Sequence, residues 1–291
     1  MKQRFLSPAK VNLILKVLSK RPDGYHNIFS LVDPISLYDT ITIEELDFDH
    51  IIVKDDKGIL PEDEQNTMFR AARLLKQTYS IRQGVRIYVQ KQIPIGSGLG
   101  GPSSDAATVL KALSTLWSLP VSHEELMALG KKVGADVPLF VFGKSCIMEG
   151  IGDIITPVHL PPLFYVVVYP EAVISTKEVY GKLKIVLTRD ENNIKLMGNF
   201  KNIGDIAGSL ENDLEQIGIT MCPKIRTIKD RLKEAGALGS LMSGSGSSVF
   251  GIFASMEDAR KASRLIENVG AVFTTHSISA GRDDIYGDYG C

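Results

Sequence analysis

The sequence predicts an α+β protein built from two domains. Its 291 residues, 44% of them hydrophobic, are enough to fill two ordinary hydrophobic cores. Segments that alternate like strands lie between segments with the spacing of amphipathic helices. A proline cluster at 157–162 precedes the apolar run Phe164–Tyr169, which is typical of a buried strand that opens a second half. We therefore expect domains at residues 1–158 and 159–291.

The first predicted elements lead from the N-terminus to a glycine-rich loop. Lys10–Leu18 nearly alternates, with apolar residues on one face and Lys10 and Asn12 on the other. Asn66 can cap a following amphipathic helix through its side-chain oxygen. Val85–Val89 alternates as a strand and runs directly into the glycine loop.

Helix signals follow that loop. Ser103 or Ser104 can cap the next helix, and Asp105 suits the positive end of its dipole. Ser122 and Glu125 have the spacing of a capping box, in which each side chain accepts a hydrogen bond from the other residue's backbone. The sequence thus predicts two helices in succession here.

The second half has fewer but clear patterns. Pro223 can begin a helix, because proline suits a first helical turn. Strand-like runs at 248–253 and 271–275 flank a last helix near 257–268. The polar, glycine-bearing stretch 188–208 is predicted to be loop with a short helix.

Composition limits the classes of function. The chain has 33 basic and 34 acidic residues and a formal charge of −1, without a basic block, so we expect no nucleic-acid partner. Apolar runs are too short to cross a bilayer, and the early strand leaves no room for a signal peptide, so we expect no membrane partner. Cys146, Cys222 and Cys291 lack disulfide or zinc spacing. We expect a cytoplasmic protein, and the sequence leaves its oligomeric state open between monomer and homodimer.

The glycine loop is a candidate anion site, because its backbone N–H groups and the following helix dipole can bind phosphate. Its residues are Pro94, Ile95, Gly96, Ser97, Gly98, Leu99, Gly100, Gly101, Pro102, Ser103 and Ser104. A dinucleotide-binding loop would need an acidic residue after a second strand, and a Walker A loop would need Gly-Lys-Ser/Thr. Neither requirement is met here. The remaining alternative is an ordinary strand-to-helix turn, which would use one or two glycines, whereas five of the six residues from Gly96 to Gly101 are Gly or Ser.

Several motifs together resemble the GHMP kinase superfamily. They are Pro8-Ala9-Lys10-Val11-Asn12, the glycine loop and Leu241-Met242-Ser243-Gly244-Ser245-Gly246-Ser247. Three further segments resemble one branch, whose acceptor is a CDP-linked methylerythritol; they are Arg21–His26, Gly134–Pro138 and Glu211–Glu215. The motifs occur in order along the chain, which a chance match to one motif would not produce.

The resemblance implies a fold and a reaction. The expected fold has an N-terminal ribosomal-S5-domain-2-like domain and a C-terminal ferredoxin-like domain, with the active site in the cleft between them. The expected reaction is transfer of the γ-phosphate of ATP to the acceptor's C2 hydroxyl in the non-mevalonate route of isoprenoid biosynthesis. Mg²⁺ is expected because it bridges β- and γ-phosphate oxygens in kinases. Its protein ligands are unknown, and Ser104 is the one that we suggest.

The resemblance also assigns catalytic roles. Asp136 would be the general base or would orient the hydroxyl, although an N-cap before Pro138 is an alternative. Lys10 would keep Asp136 ionised and balance charge on the transferring phosphoryl group. Asn12 would hydrogen-bond near the reacting hydroxyl.

Substrate recognition is assigned in the same way. Tyr25 and His26 would stack on and hydrogen-bond a cytosine ring, with Thr176 and Tyr180 on its other side. The same Pro-Asp-Gly-Tyr segment also reads as a β-turn. Asn66 would contact adenine, with helix capping as its rival. Two other functions stay open: a superfamily kinase with a mevalonate-like or homoserine-like acceptor, and a non-catalytic nucleotide-binding protein.

Overall fold

The computed structural model describes residues 2–183, 200, 202–266 and 268–278. The strands are β1 Lys2–Lys20, β2 His26–Leu46, β3 Ile51–Asp55, β4 Gly84–Gln90, β5 Cys146–Gly150, β6 Ile154–Pro157, β7 Phe164–Tyr169, β8 Glu211–Asn212, β9 Gly239–Met242, β10 Val249–Phe253 and β11 Ala271–His276. The helices are α1 Thr67–Tyr79, α2 Gly101–Leu116, α3 His123–Val133, α4 Val137–Phe142, α5 Thr176–Lys182, α6 Ile203–Gly208, α7 Glu215–Met221, α8 Lys224–Glu234 and α9 Met256–Leu265.

The first sheet is built around one long antiparallel pair. Strands β1 and β2 pair from Lys2↔Glu44 to Lys20↔His26, and the order across the sheet is β3-β4-β2-β1-β8. Strand β5 pairs with β2 and with β6 off this path. The predicted strand at residues 10–18 is therefore confirmed but is longer at both ends.

Helices α1 to α4 cover one core of this sheet. Asn66 caps α1 by accepting a hydrogen bond from the backbone N–H of Met68 at 2.9 Å. The capping box of Ser122 and Glu125 at the start of α3 is present in both directions. Both helix starts are thus confirmed, because each depends on a local hydrogen bond that the sequence spacing permits.

The start of α2 differs from the prediction. The N-cap is Gly100, with φ of 78°, and no side chain caps the helix. Neither Ser103 nor Ser104 is the cap, because the glycine can take the left-handed conformation and Pro102 fits the first turn. Asp105 is predicted in the first turn, but the helix begins at Gly101 and has no acidic residue in that turn; Asp105 lies beyond it, buried and paired with Lys91.

The second sheet has the order β11-β7-β10-β9. Phe164–Tyr169 is paired on both sides, by β10 and by β11, which confirms the predicted buried strand. Helix α8 follows Pro223 and buries its apolar stripe, and α9 lies between β10 and β11, as the patterns predict. The side chains between these helices and the sheet form a separate hydrophobic core.

Residues just after the polar stretch join the second half of the chain to the first sheet. Strand β8 pairs in parallel with β1, and Lys16 forms an ion pair with Glu211, Nζ to Oε2 2.7 Å. Asp213 Oδ2 accepts the backbone N–H of Val17 at 2.8 Å. The boundary predicted at 158/159 falls between β6 and β7 and stays a prediction. Most of the predicted loop at 188–208 lies outside the described residues. The last part of that stretch is described and forms the short helix α6.

Candidate active site

A cleft of about 900 Å³ lies between the glycine loop of the first half and a second glycine loop, residues 243–248 between β9 and β10, of the second half. Its volume is near the upper end of the range for ligand sites, about 300–1,000 Å³. Its lining includes most of the predicted site residues: Lys10, Asn12, Tyr25, His26, Pro94, Gly96, Ser97, Gly98, Gly100, Gly101, Pro102, Asp136, Thr176 and Tyr180. The segments that the sequence separates therefore meet around one cavity.

Lys10 lies at the floor of the cleft with its side chain almost fully buried. Its Nζ donates to the carbonyl oxygen of Gly98 at 2.8 Å and to Oδ1 of Asn12. Burial lowers the pKa of the Lys10 ammonium, and the negative charge of Asp136 opposes that shift. The same strand face also carries Asn12, whose Nδ2 donates to Ser30 Oγ at 2.8 Å. The predicted placement of Lys10 and Asn12 on one strand face is confirmed, and the structure adds the hydrogen bond between them.

Asp136 lies at the start of the short helix α4. Its backbone takes the N-cap position, but its side chain makes no capping hydrogen bond. The capping alternative therefore does not account for this carboxylate, which lines the cleft instead. Asp136 is also close enough to influence both Lys10 and Tyr180 electrostatically. A carboxylate so placed can accept a proton or a hydrogen bond from a bound hydroxyl.

The two glycine loops approach each other at Gly98. This residue has φ of 78°, and a Cβ added to it would lie 2.2 Å from the carbonyl oxygen of Ser243. The hydroxyl of Ser243 donates to the Gly98 carbonyl at 3.1 Å, and the N–H of Ser248 donates to the Ser97 carbonyl at 3.0 Å. Only glycine fits at position 98, because a side chain would separate the loops.

The entry to α2 is packed against the helix that carries Asp136. A Cβ on Gly100 would lie 2.7 Å from the Phe140 ring and 3.2 Å from Cγ of Lys10. Pro102 lies in the first turn, where its missing N–H removes no intrahelical hydrogen bond. The amides that precede it stay available to an anion at the positive end of the helix.

Asn212 positions the second glycine loop and was missed by sequence reasoning as a site residue. Its Nδ2 donates to the carbonyl oxygens of Met242 and Gly244, both at 2.8 Å. Its Oδ1 accepts the N–H of Leu214 at 2.9 Å. The Glu-Asn-Asp-Leu segment carries no periodic signal for this contact, which joins residues about 30 positions apart in the chain.

Aromatic side chains form the other end of the cleft. The rings of His26 and Tyr180 have centroids 5.0 Å apart and are tilted by 34°. Tyr25 is 58% exposed, so its ring is open to a ligand. Burial, with a contribution from Lys20, lowers the pKa of His26, which favours the neutral imidazole. Thr176 Oγ1 lies 2.8 Å from Ser245 Oγ, which connects α5 to the second glycine loop.

Some predicted residues lie outside the cleft lining. They are Ile95, Leu99, Ser103, Ser104 and Asn66. Leu99 belongs to the core, and the hydroxyl of Ser104 is buried and accepts a hydrogen bond from Ser7 Oγ at 2.8 Å. Asn66 uses both polar atoms of its side chain within the protein, accepting from Met68 N–H and donating to the Pro61 carbonyl. This supports capping, and an adenine contact by Asn66 stays a prediction.

The described residues contain no group of three or more His, Cys, Asp or Glu side chains that could hold a metal ion. Among the same residues, no helix is both long and apolar enough to cross a membrane. The cleft thus offers a buried cation, one carboxylate beside it and a row of backbone amides. This set can bind a polyphosphate and activate a hydroxyl toward its terminal phosphorus.

Comparisons with known proteins identify the class. The family of GHMP kinase N-terminal domains matches residues 66–144, and that of GHMP kinase C-terminal domains matches residues 192–274. A homoserine kinase structure from Cytophaga hutchinsonii has a TM-score of 0.77 at 22% identity and covers 95% of this chain and 94% of its own. This chain therefore has the fold of a GHMP kinase, which confirms the predicted two-domain α+β architecture.

Relatives of higher identity define the family within that class. The 4-diphosphocytidyl-2-C-methyl-D-erythritol kinase of Geobacter metallireducens is 45% identical over 263 residues, 90% of this chain and 93% of that protein. A crystal structure of 4-(cytidine 5'-diphospho)-2C-methyl-D-erythritol kinase has a TM-score of 0.77 at 33% identity and covers 95% and 99% of the two chains. The chain belongs to the 4-diphosphocytidyl-2-C-methyl-D-erythritol kinase family, and it is an ATP-dependent small-molecule kinase.

Proposed function

We propose that the protein transfers the γ-phosphate of ATP to the C2 hydroxyl of 4-diphosphocytidyl-2-C-methyl-D-erythritol, which gives the 2-phosphate and ADP. This reaction belongs to the non-mevalonate, or methylerythritol phosphate, route of isoprenoid biosynthesis. The observation that carries the proposal is the convergence of Lys10, Asp136 and the glycine loop on one cleft in a member of this family. A mevalonate-like or homoserine-like acceptor is not favoured, because the similarity to those kinases extends to the fold alone.

The chemical step follows from the residues at the cleft floor. The hydroxyl oxygen attacks the γ-phosphorus and forms a new P–O bond. The bond between that phosphorus and the oxygen bridging the β- and γ-phosphates breaks, and its electron pair stays on the bridging oxygen, which leaves as part of ADP. Asp136 orients the hydroxyl and receives its proton, while Lys10 balances negative charge on the transferring group. Asn12, two residues further along the same strand, accepts a hydrogen bond from the ammonium. Phosphoryl transfer depends mainly on positioning and on charge stabilisation. Asp136 and Lys10 therefore need only lie close to the reacting groups, and neither forms a covalent intermediate.

The aromatic end of the cleft is proposed to bind the cytosine. Tyr25 offers an exposed ring for stacking, and neutral His26 offers one donor and one acceptor to the base edge. The Tyr180 ring is held against His26, and Thr176 extends the same side toward the second glycine loop. This placement puts the base at one end of the cleft and the reacting hydroxyl near Asp136.

Mg²⁺ is proposed to accompany ATP. Mg²⁺ is commonly held by one or two carboxylates together with substrate phosphates. The cleft lining carries the carboxylates of Asp23 and Asp136, and Asp136 is the one close enough to act on Lys10, so its carboxylate would face the ion as well as the hydroxyl. When bound, Mg²⁺ would neutralise charge on the phosphates. Ser104 is an unsupported ligand, because its hydroxyl is buried beside Ser7. A cytoplasmic location also stays a prediction.

The proposal is tested by ATP consumption with Mg²⁺ against separate acceptors. The panel is 4-diphosphocytidyl-2-C-methyl-D-erythritol, mevalonate and homoserine, with ADP release measured by a coupled assay. We expect turnover with the cytidine-linked alcohol and none above background with the others. Turnover with mevalonate or homoserine instead would contradict the acceptor. ATP binding without turnover on any acceptor would favour the non-catalytic alternative.

A further inference from the structure

A buried ionic cluster lies beneath the glycine loop, outside the lining of the cleft. Lys91 Nζ is ion-paired with Oδ2 of Asp39 and with Oδ2 of Asp105, the latter at 2.7 Å. The side chains of all three residues are at most 2% exposed. We call Lys91, Asp39 and Asp105 the clasp.

The clasp joins the two ends of the glycine loop. At the strand end, Asp39 Oδ1 accepts the backbone N–H groups of Gln92 at 2.7 Å and Ile93 at 2.8 Å, directly before Pro94. At the helix end, Asp105 lies in the second turn of α2, just after the loop. One ammonium therefore connects the chain that enters the loop with the helix that leaves it.

The clasp also lies close to the last glycine of the loop. A Cβ added to Gly101 would lie 3.4 Å from Lys91 Nζ, so the ammonium occupies the space just beyond this glycine. Gly101 itself lines the cleft on its other side. A shift of the ammonium would therefore change the surroundings of the first residue of α2 and the ion pair with Asp105 on the same helix.

The three charges of the clasp are buried, and their desolvation opposes any gain in stability from the ion pairs. Two carboxylates share one ammonium in a buried site, and burial together with the charge of Asp39 raises the pKa of Asp105 although Lys91 opposes the shift. Buried ion pairs commonly give no more stability than apolar side chains of the same volume. A role in geometry explains the cluster better than a role in stability.

We propose that Asp105, acting through Lys91, is a positioning residue that fixes the spacing of the phosphate-binding amides and thereby the affinity for ATP. This inference rests on the proposed function, in which ATP occupies the glycine loop. Among the described residues, the aromatic side chains at the cytosine end make no hydrogen bond or ion pair with the clasp. Loosening the clasp should therefore weaken ATP binding selectively.

The test compares Asp105→Ala with Asp105→Asn. The alanine removes the tie to Lys91, whereas the asparagine keeps an oxygen that can accept from the ammonium. We expect Asp105→Ala to raise KM for ATP by about tenfold or more and KM for the acceptor by less than about twofold. Asp105→Asn should stay within about threefold of the wild type for both constants.

Two further measurements separate geometry from general destabilisation. Leu113→Ala is the matched control, since Leu113 is fully buried further along α2 and should lower stability without changing either KM. Amide hydrogen exchange without nucleotide should be faster across residues 94–104 in Asp105→Ala and unchanged there in Leu113→Ala. If Asp105→Ala does not fold, Asp105→Ser serves for the same comparison.

The outcomes are distinct for the clasp and for the proposed function. A parallel rise of both KM values, or unchanged exchange across residues 94–104, would overturn the positioning role. Failure of the wild type to turn over ATP would overturn the proposed function instead, while the exchange experiment would still report on the clasp.

Discussion

Replacing Lys10 with methionine should abolish most catalysis while leaving the fold intact. The substitution removes the ammonium but keeps an unbranched chain in a position that is only 5% exposed. Gly98 O keeps its second donor, Ser243 Oγ at 3.1 Å, whereas Asn12 Oδ1 loses the lysine. A buried acceptor without its partner costs about 1–3 kcal/mol, and removing the desolvation penalty of a buried ammonium offsets part of that cost. We expect the free energy of unfolding to change by no more than about 2 kcal/mol.

The effect on the transition state should be larger. Removing one preorganised charge-stabilising donor typically lowers kcat by about 10²–10³, which corresponds to about 2.7–4 kcal/mol. The assay is coupled ADP release at saturating ATP and acceptor, with urea unfolding on the same samples. Lys16→Met is the control, because Lys16 lies on the same strand at 8% exposure but pairs with Glu211. Its kcat should stay within about threefold of the wild type. If the kcat of Lys10→Met also stays within about threefold of the wild type, the charge role of Lys10 is refuted.

Four further changes test the same account. Since burial lowers the pKa of Lys10 below 10.5, the ammonium is lost as pH rises through that lowered value, so kcat should fall there; a flat alkaline profile would contradict this. Asp136→Asn should fold and bind ATP but lose about 10²–10⁴ in kcat, and near-normal kcat would remove Asp136 from the mechanism. Tyr25→Ala should raise KM for the cytidine substrate by about 5- to 150-fold, because stacking is worth about 1–3 kcal/mol per base, whereas the exposed Tyr88→Ala should leave KM unchanged. Gly98→Ala should destabilise the fold by about 2–4 kcal/mol, from its left-handed backbone and the blocking carbonyl 2.2 Å away, and an unchanged urea midpoint would exclude that clash.

Local patterns predicted most of the elements that hold the site. The Asn66 cap, the Ser122–Glu125 capping box and the strand Phe164–Tyr169 all occur where the sequence places them. Each depends on hydrogen bonds or burial within a few residues of the chain, which periodicity and capping rules describe. The long strand β2 was not predicted, because its two faces are both buried over much of its length and it lacks a clean alternation.

Contacts between distant residues were the part that sequence reasoning could not provide. Asp105 reads as a helix-dipole residue in the sequence, yet it pairs with Lys91, which also pairs with Asp39. Ser104 reads as a helix cap, yet the glycine loop enters α2 through Gly100. For Asp105, a partner far away in the chain outweighs the local propensity of the side chain. For Ser104, the backbone conformation that Gly100 can adopt outweighs it.

The most direct test is a crystal structure with a non-hydrolysable β,γ-imido analogue of ATP and 4-diphosphocytidyl-2-C-methyl-D-erythritol. The account predicts that the γ-phosphorus lies above the amides of the glycine loop, with the C2 hydroxyl oxygen about 3–3.5 Å from it and the hydroxyl beside Asp136. It also predicts the cytosine against Tyr25. A triphosphate bound away from the glycine loop, or a C2 hydroxyl out of reach of Asp136, would contradict it.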